Sequence, residues 1–585
     1  MRRNLPGVTL IVVVTTFLTV LAVPAGAQTD TIQTNVPALK DVYANDFNIG
    51  CLLSYRHVGF RDDPPVPGQS GVIAPNGGYL IKFHMNSMSP GNNMKPQYTV
   101  NIAASAAAYA AAAAGDKDSV DTHPVVRFNG DIIAQLNWAR RQGFTFRGHT
   151  LVWHSQTPGT AFFYSGYSAS GIRLTKEKMI ARMDGYIKEI IRLIHEGWPG
   201  LLSAMDVVNE AVSDAGTDRT TDSEWYTTFG DNSYIMKAFE LTRKWAVHYG
   251  EIQMKLYYND YNTQNASKAD GIVRICTPIF QAGYLDGIGM QDHDAISSPS
   301  AAAWITSYNK FYPICTEMAV TELDVNTNSG TNNPSSSVLT AQANQYASLF
   351  KCFVERSYKS GRGKIINVSK DGLNDQYTFV TNQSTSLWNT QNQCKPAFYA
   401  VVEVGINYNA LDSLSSSADS LQQNDYTPES WSHVAAALAS AKAAMAQNYS
   451  TSLSAADALR QARDSLQAAI EGLVKISVDV KVVNGNNPTV FALNQNYPNP
   501  FNPTTAVSYQ LPVASEVKLV AYDMLGREVA VLVNERKAPG SYEVQFSAGG
   551  GSASGGDAPE LAAGVYLYRL TAGQYIESRK MVLLK

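Results

Sequence analysis

The sequence predicts an α/β chain: a (β/α)8 TIM barrel, then a small three-helix bundle, then a C-terminal antiparallel β-sandwich. Three observations predict it. Between Asp30 and Val404 short apolar runs alternate with longer stretches of helical period. From Asn409 the apolar spacing turns helical throughout, and from about Asn484 short alternating runs are separated by turn dipeptides. A chain of 585 residues is too long for one core. The expected division is 1–27 (signal peptide), 30–404 (barrel), 409–477 (helical module) and 484–585 (sandwich).

The elements follow in order. Arg2 and Arg3 precede the apolar run "VTLIVVVTTFLTVLAV" (Val8–Val23), and "AGA" (Ala25–Ala27) fits a small-residue cleavage site. The run is short for a membrane span, so it reads as a leader that sends the protein out of the cytoplasm. The expected barrel strands are Ile49–Ser54, Tyr79–Met85, Thr145–Trp153, Ala204–Asn209, Lys255–Asn259, Gly287–Gln291, Ala319–Leu323 and Lys364–Val368. Helical stretches such as Lys176–His195 and Tyr234–His248 lie between them, and Ala103–Gly115 reads as a helical insertion closed by Gly115. The segment after Asn409 reads as three amphipathic helices with breaks near "NDYTPES" and "NYSTSLS". Its "YTPESW" (Tyr426–Trp431) resembles the opening of a small three-helix module appended to extracellular carbohydrate enzymes. Spacer and sugar- or surface-binding module both remain open for it.

The last segment carries "VSYQLP", "EVKLVAYD", "EVAVLV", "YEVQFS" and "GVYLYRL" as strands, with Ser547–Glu560 as a Gly/Ser-rich loop. Its blocks "NYPNPFNPTT" (Asn496–Thr505), "YDMLGREV" (Tyr522–Val529), "GVYLYRL" (Gly564–Leu570) and terminal "KMVLLK" resemble, in that order, the sorting domain of type IX secretion. The resemblance implies the type IX secretion machinery as a partner. It also implies a secreted or outer-surface location on a Gram-negative bacterium.

Composition excludes several classes. The formal charge of -4 and the lack of any block of five Lys/Arg argue against nucleic-acid binding. Cys51, Cys276, Cys315, Cys352 and Cys394 have no CxxC or CxxH spacing, which argues against a zinc site. Export permits disulfides, but an odd five allows at most two. Nothing calls for a metal or organic cofactor, or for more than a monomer.

The chemistry sits at the strand ends. "SAMDVVNEAVSD" (Ser203–Asp214) is an apolar run that stops at Asn209-Glu210, although Glu is a poor strand residue. "MAVTELDV" (Met318–Val325) ends similarly, with Glu322 and Asp324 on one strand face. Two glutamates from two strand ends of one barrel can meet across its mouth. That is the arrangement of glycoside hydrolysis: one protonates the leaving oxygen, the other attacks or stabilises a sugar cation. Their mutual charge and apolar walls raise the acid's pKa.

"RGHTLVWHSQTP" (Arg147–Pro158), "DVVNEA" (Asp206–Ala211), "YYNDYN" (Tyr257–Asn262), "DGIGMQDH" (Asp286–His293) and "VTELDV" (Val320–Val325) stand in the order seen in glycoside hydrolase family 10. The chain resembles that family of (β/α)8 endo-β-1,4-xylanases from about Asp41 to Val404. The resemblance implies Glu210 as general acid/base and Glu322 as nucleophile of a retaining double displacement on xylan or arabinoxylan. It implies that His293 sits between Glu322 and Asp324, that Asn209 bonds the sugar 2-OH, and that Gln291 reaches the acid/base. His149 and Trp153 would line the sugar at the cleavage position, with His154 in possible support of Trp153.

Three departures stand out. "SPGNNMK" (Ser89–Lys95) keeps Asn92 and Lys95 for the non-reducing-side sugar but has Gly91 where Glu is usual. "DGLND" (Asp371–Asp375) has Asp371 in place of a Trp, and Phe379 stands where a second Trp commonly closes the roof, with Tyr377 or Trp388 as candidate replacements. Met205 replaces a Trp before the Glu210 motif. The alternatives are the same mechanism on another β-1,4-glycan, or a surface glycan-binding protein that does not turn over.

Overall fold

The computed structural model describes residues 32–357, 361–449, 454–474, 481–482, 488–548 and 561–584. The expected signal peptide and most of the Gly/Ser-rich loop lie outside the described residues. Nine strands form the first sheet: β1 (Asn48–Leu53), β2 (Ser87–Pro90), β3 (Thr145–Trp153), β4 (Leu202–Asn209), β5 (Lys255–Asp260), β6 (Gly287–Met290), the short β7 (His293–Ala295), β8 (Glu317–Asn326) and β9 (Lys364–Asp371). All pairings are parallel; β9 returns to β1 and β6 pairs with β8, so eight strands close a barrel. The short β7 pairs with the far end of β8, placing His293 opposite Asp324.

A helix follows each barrel strand, and its ends are legible. Lys176–Gly197 starts where the Thr175 side chain accepts from the Lys178 N–H, and it buries Met179, Met183, Ile187, Ile190 and Ile194 on one stripe. Gly130–Gln142 starts at Asn129, which accepts from Ile132, and ends at Gly143 in the left-handed region (φ 73°). Each buried large apolar side chain stabilises the packing by about 1.5–3 kcal/mol.

The second strand needs correction. Residues expected as strand Tyr79–Met85 form the helix Gly77–His84, and the strand is Ser87–Pro90. Leu80, Ile81 and His84 are buried while Tyr79 is 56% exposed. That is a helical face with spacing i, i+1, i+4, which a short apolar run conceals. Ala103–Gly115 is also shorter than expected: its helix, Ile102–Ala111, begins where the Asn101 side chain accepts from Ala104 and ends before Gly115.

The expected break between Val404 and Asn409 falls inside one helix, Pro396–Asp419. This helix is both the eighth barrel helix and the first of the bundle, joined by Pro428–Ala446 and Ala455–Glu471. Leu411, Val434, Leu459 and Leu466 belong to the same apolar cluster as the barrel helices, and Ser348 Oγ donates to the Tyr449 carbonyl at 2.9 Å.

The C-terminal region adds β10 (Lys481–Val482), β11 (Ala492–Leu493), β12 (Thr504–Leu511), β13 (Ser515–Tyr522), β14 (Glu528–Lys537), β15 (Gly540–Ser547), β16 (Gly564–Ala572) and β17 (Tyr575–Leu583). They form two antiparallel sheets, β10-β15-β12-β11 and β14-β13-β16-β17, around a separate core with Val507, Tyr509, Leu519, Val544 and Tyr568. All five cysteines are free thiols. Among the described residues no helix is long and apolar enough to cross a membrane.

Candidate active site

A cleft of about 1080 Å³ opens at the C-terminal ends of the barrel strands, where this fold places its chemistry. Asn92, Lys95, His149, Trp153, Asn209, Glu210, Gln291, His293, Glu322 and Asp371 all line it. Every substrate-facing residue expected from the sequence is therefore brought together, with Asp324 just behind.

The barrel interior beneath is polar and ordered. Tyr257 Oη donates to Glu317 at 2.7 Å near the base. One layer higher, the fully buried Asp206 accepts from Arg147 Nη1 at 2.8 Å and lies 2.8 Å from His149 Nδ1. A carboxylate against Nδ1 fixes the proton there and leaves Nε2 as the other nitrogen.

Glu210 follows the last residue of β4. Its Oε2 accepts from Trp153 Nε1 at 2.9 Å; its Oε1 accepts from Gln291 Nε2 at 2.9 Å and Asn209 Nδ2 at 3.1 Å. Glu322 Oε1 accepts from Asn259 Nδ2 at 3.0 Å, and the same nitrogen reaches Asn209 Oδ1 at 2.9 Å. The two carboxylates are thus linked through Gln291, Asn209 and Asn259. On its other side Glu322 Oε2 lies 3.5 Å from His293 Nε2, and His293 Nδ1 lies 3.3 Å from Asp324 Oδ2.

These contacts divide the charge. Burial alone would raise the Glu322 carboxyl, but the hydrogen bond from His293 and the charges of His149, His293 and Arg147 hold it well below the usual carboxylate range. Burial works against the His293 cation too, yet Asp324 and Glu322 outweigh it and raise its pKa well above the ordinary imidazole value. The site therefore holds an anionic Glu322 facing a second carboxyl group, Glu210. One can attack or stabilise a cation, and the other can carry a proton.

The walls are built from neighbouring loops. Trp153 has Lys95 Nζ 4.7 Å from its ring centre, its carbonyl accepts from Trp225 Nε1 at 3.1 Å, and the His154 ring stands edge-on at 5.9 Å. Lys95 donates to Asn92 Oδ1 and Gln156 Oε1, both at 2.9 Å. Phe379 is 82% exposed at the rim, 6.3 Å from the His293 ring. Tyr377 lines the cleft, but Trp388 does not: it is buried against His84 and Phe398, so it replaces no roof residue. Met205 is buried with its Sδ and Cε where a side chain on Gly148 would sit, a packing role.

The sequence motifs do not by themselves single out Asn259, Asp206 and Arg147. Their signal was a polar residue at a strand position otherwise apolar, visible in "YYNDYN", "DVVNEA" and "RGHTLVWH".

Comparison with known proteins decides the family: residues 38–404 match the description "Glycosyl hydrolase family 10". The chain belongs to glycosyl hydrolase family 10. Endo-1,4-beta-xylanase Y of Acetivibrio thermocellus is 33% identical over 397 residues, which is 65% of this chain and 33% of that protein. This family 10 chain thus spans a third of that relative's length. The Beta-1,4-xylanase of Dictyoglomus thermophilum is 28% identical over 382 residues, 63% of this chain and 91% of that one. Among solved structures, the N-terminal modules of Clostridium thermocellum endo-1,4-beta-D-xylanase 10B, complexed with xylohexaose, share 31% identity. That match has a TM-score of 0.53 and covers 64% of this chain and 69% of that one.

Proposed function

We propose that this family 10 protein is a secreted endo-β-1,4-xylanase that hydrolyses internal bonds of xylan or arabinoxylan with retention of configuration. The observation that carries the reading is the charge arrangement around Glu322: His293, clamped by Asp324, holds it ionised beside the carboxyl of Glu210. Glu322 attacks the anomeric carbon while Glu210 protonates the leaving glycosidic oxygen. Glu210 then takes a proton from the water that hydrolyses the glycosyl–Glu322 ester. Asn209 bonds the sugar 2-OH, and His149, Trp153, Asn92 and Lys95 hold the non-reducing-side sugars. The mechanism needs no metal or organic cofactor, and the enzyme works as a monomer.

The names of the relatives support xylan. Gly91, Asp371 and Phe379 favour a second reading, the same mechanism on another β-1,4-glycan or a heavily decorated xylan. The leader and the C-terminal blocks support export through type IX secretion to the outer surface.

The test is reducing-sugar release from soluble xylan and from mixed β-glucan by wild type and Glu322→Ala, with the first-formed anomer read by proton NMR. Release from xylan by wild type alone, first as the β-anomer, supports the full reading. Release from glucan alone moves the substrate and keeps the mechanism. A first-formed α-anomer, or an active Glu322→Ala, overturns the mechanism.

A further inference from the structure

The peptide that carries Glu210 is held in an unfavourable conformation by groups that touch no reacting atom. Glu210 has φ 54°, the left-handed region that a residue with a Cβ keeps only when its surroundings hold it there. Three hydrogen bonds do so. The Glu210 N–H donates to the Asn259 carbonyl at 2.9 Å, and the Glu210 carbonyl accepts from Arg219 Nε at 2.7 Å. The next N–H, of Ala211, donates to the hydroxyl of Tyr258 at 3.0 Å.

That hydroxyl is an anchored acceptor. Tyr258 is fully buried, and its own proton goes to Asp260 Oδ2 at 2.6 Å, so its oxygen lone pairs face Ala211. Asp260 is fully buried in turn; its Oδ1 accepts from the Tyr261 N–H at 2.9 Å and lies 2.9 Å from Lys268 Nζ. Lys268 continues to Asp214 at 3.1 Å and sits over the Tyr261 ring, whose hydroxyl accepts from Arg219 Nη2 at 2.8 Å. The contacts close a ring through Ala211, Tyr258, Asp260, Lys268, Tyr261 and Arg219, back to Glu210.

We infer that Tyr258, anchored by Asp260 and Lys268, and Arg219 are positioning residues that clamp the Glu210 peptide so that its carboxyl meets the leaving oxygen. The inference rests on Glu210 being the acid/base. The turn aims the carboxyl at Trp153 Nε1 and Gln291 Nε2. Without the Tyr258 hydroxyl the Ala211 N–H loses its acceptor, and the peptide relaxes toward negative φ. A displacement well under the length of a bond pair is enough to weaken proton transfer.

The discriminating readout is leaving-group dependence. Dinitrophenyl β-xylobioside loses its phenolate without protonation, whereas phenyl β-xylobioside needs the acid. Tyr258→Phe in the full chain is expected to lower kcat/KM on the phenyl substrate about tenfold or more, and on the dinitrophenyl substrate by about twofold or less. Arg219→Met, which cuts the opposite side of the clamp, is expected to show the same bias and decides the matter if Tyr258→Phe does not fold. Equal losses on both substrates, or no loss, in the folded variants would overturn the clamp. Glu210→Ala is the separate control: if it shows no leaving-group bias, the acid/base assignment fails rather than the clamp.

Discussion

At the scale of single residues, two departures in the cleft have opposite chemistry. Gly91 leaves space: a Cβ built there has no neighbour closer than 3.7 Å, and its backbone lies outside the left-handed region. Gly91→Glu should therefore fit and add a charge-assisted hydrogen bond to the non-reducing-side sugar, about 1.5–3 kcal/mol. Its signature is KM for xylotetraose lowered about tenfold or more with kcat little changed; an unchanged KM would show that the position does not face that sugar. Asp371 adds charge. Burial and the neighbouring Asp324 push its carboxyl up to about 6, against the pull of His293. Above that pH it is anionic beside Glu322 and favours a cation-like transition state; below it the charge is gone. The rate constant kcat/KM should thus fall as pH drops through about 6, and Asp371→Asn should remove that limb. The variant should also lower the pH 7 value about threefold to tenfold. A pH–rate profile of the variant that keeps the limb refutes the assignment.

At the scale of elements, what was legible depended on how much pattern each segment carried. Lys176–Gly197 is readable because its long helical period would bury many wrong side chains if read otherwise, whereas the strand Thr145–Trp153, buried along its interior, is marked by its motif and not by a period. The second strand is hidden in the sequence because the four residues of "SMSP" carry almost no period, whereas the adjoining helix Gly77–His84 is apolar enough to imitate a strand. The roles proposed for Glu210, Glu322 and His293 are legible in ordered motifs, while Asn259 stands out only once β4, β5 and β8 lie side by side. The same limit hid the continuity of Pro396–Asp419, since composition changes at a point where the helix does not end. This continuity makes a prediction. A chain ending at Tyr408 loses Leu411 and the partners Leu459 and Leu466, each worth about 1.5–3 kcal/mol of burial, and bares the flank of Ser336–Glu355. Such a chain should melt at least several degrees below one ending at Val474. Equal melting temperatures by differential scanning calorimetry would mean that the bundle is energetically separate from the barrel.

At the scale of the whole molecule, the bundle and the sandwich stand in different relations to the barrel. The bundle shares its apolar cluster, whereas the sandwich has one of its own, with no described residue in common. Among the described residues the cleft is lined only by those between Leu52 and Phe379, and no described side chain of the sandwich contributes to it. The proposed catalytic and sorting roles are then separable by physics as well as by sequence: a β-sandwich with its own core can be removed without opening a cavity in the other. Ending the chain at Val474 should leave kcat/KM on soluble xylan within about twofold and the melting temperature of the barrel unchanged. In a host with type IX secretion, the same deletion should trap the activity inside the cells, where cell fractionation finds it undiminished. Loss of specific activity on deletion would assign the sandwich to substrate handling, and full activity in the medium would overturn the sorting role proposed for it. The two readouts are independent because one measures chemistry at the barrel mouth and the other the path by which the barrel reaches its polymer.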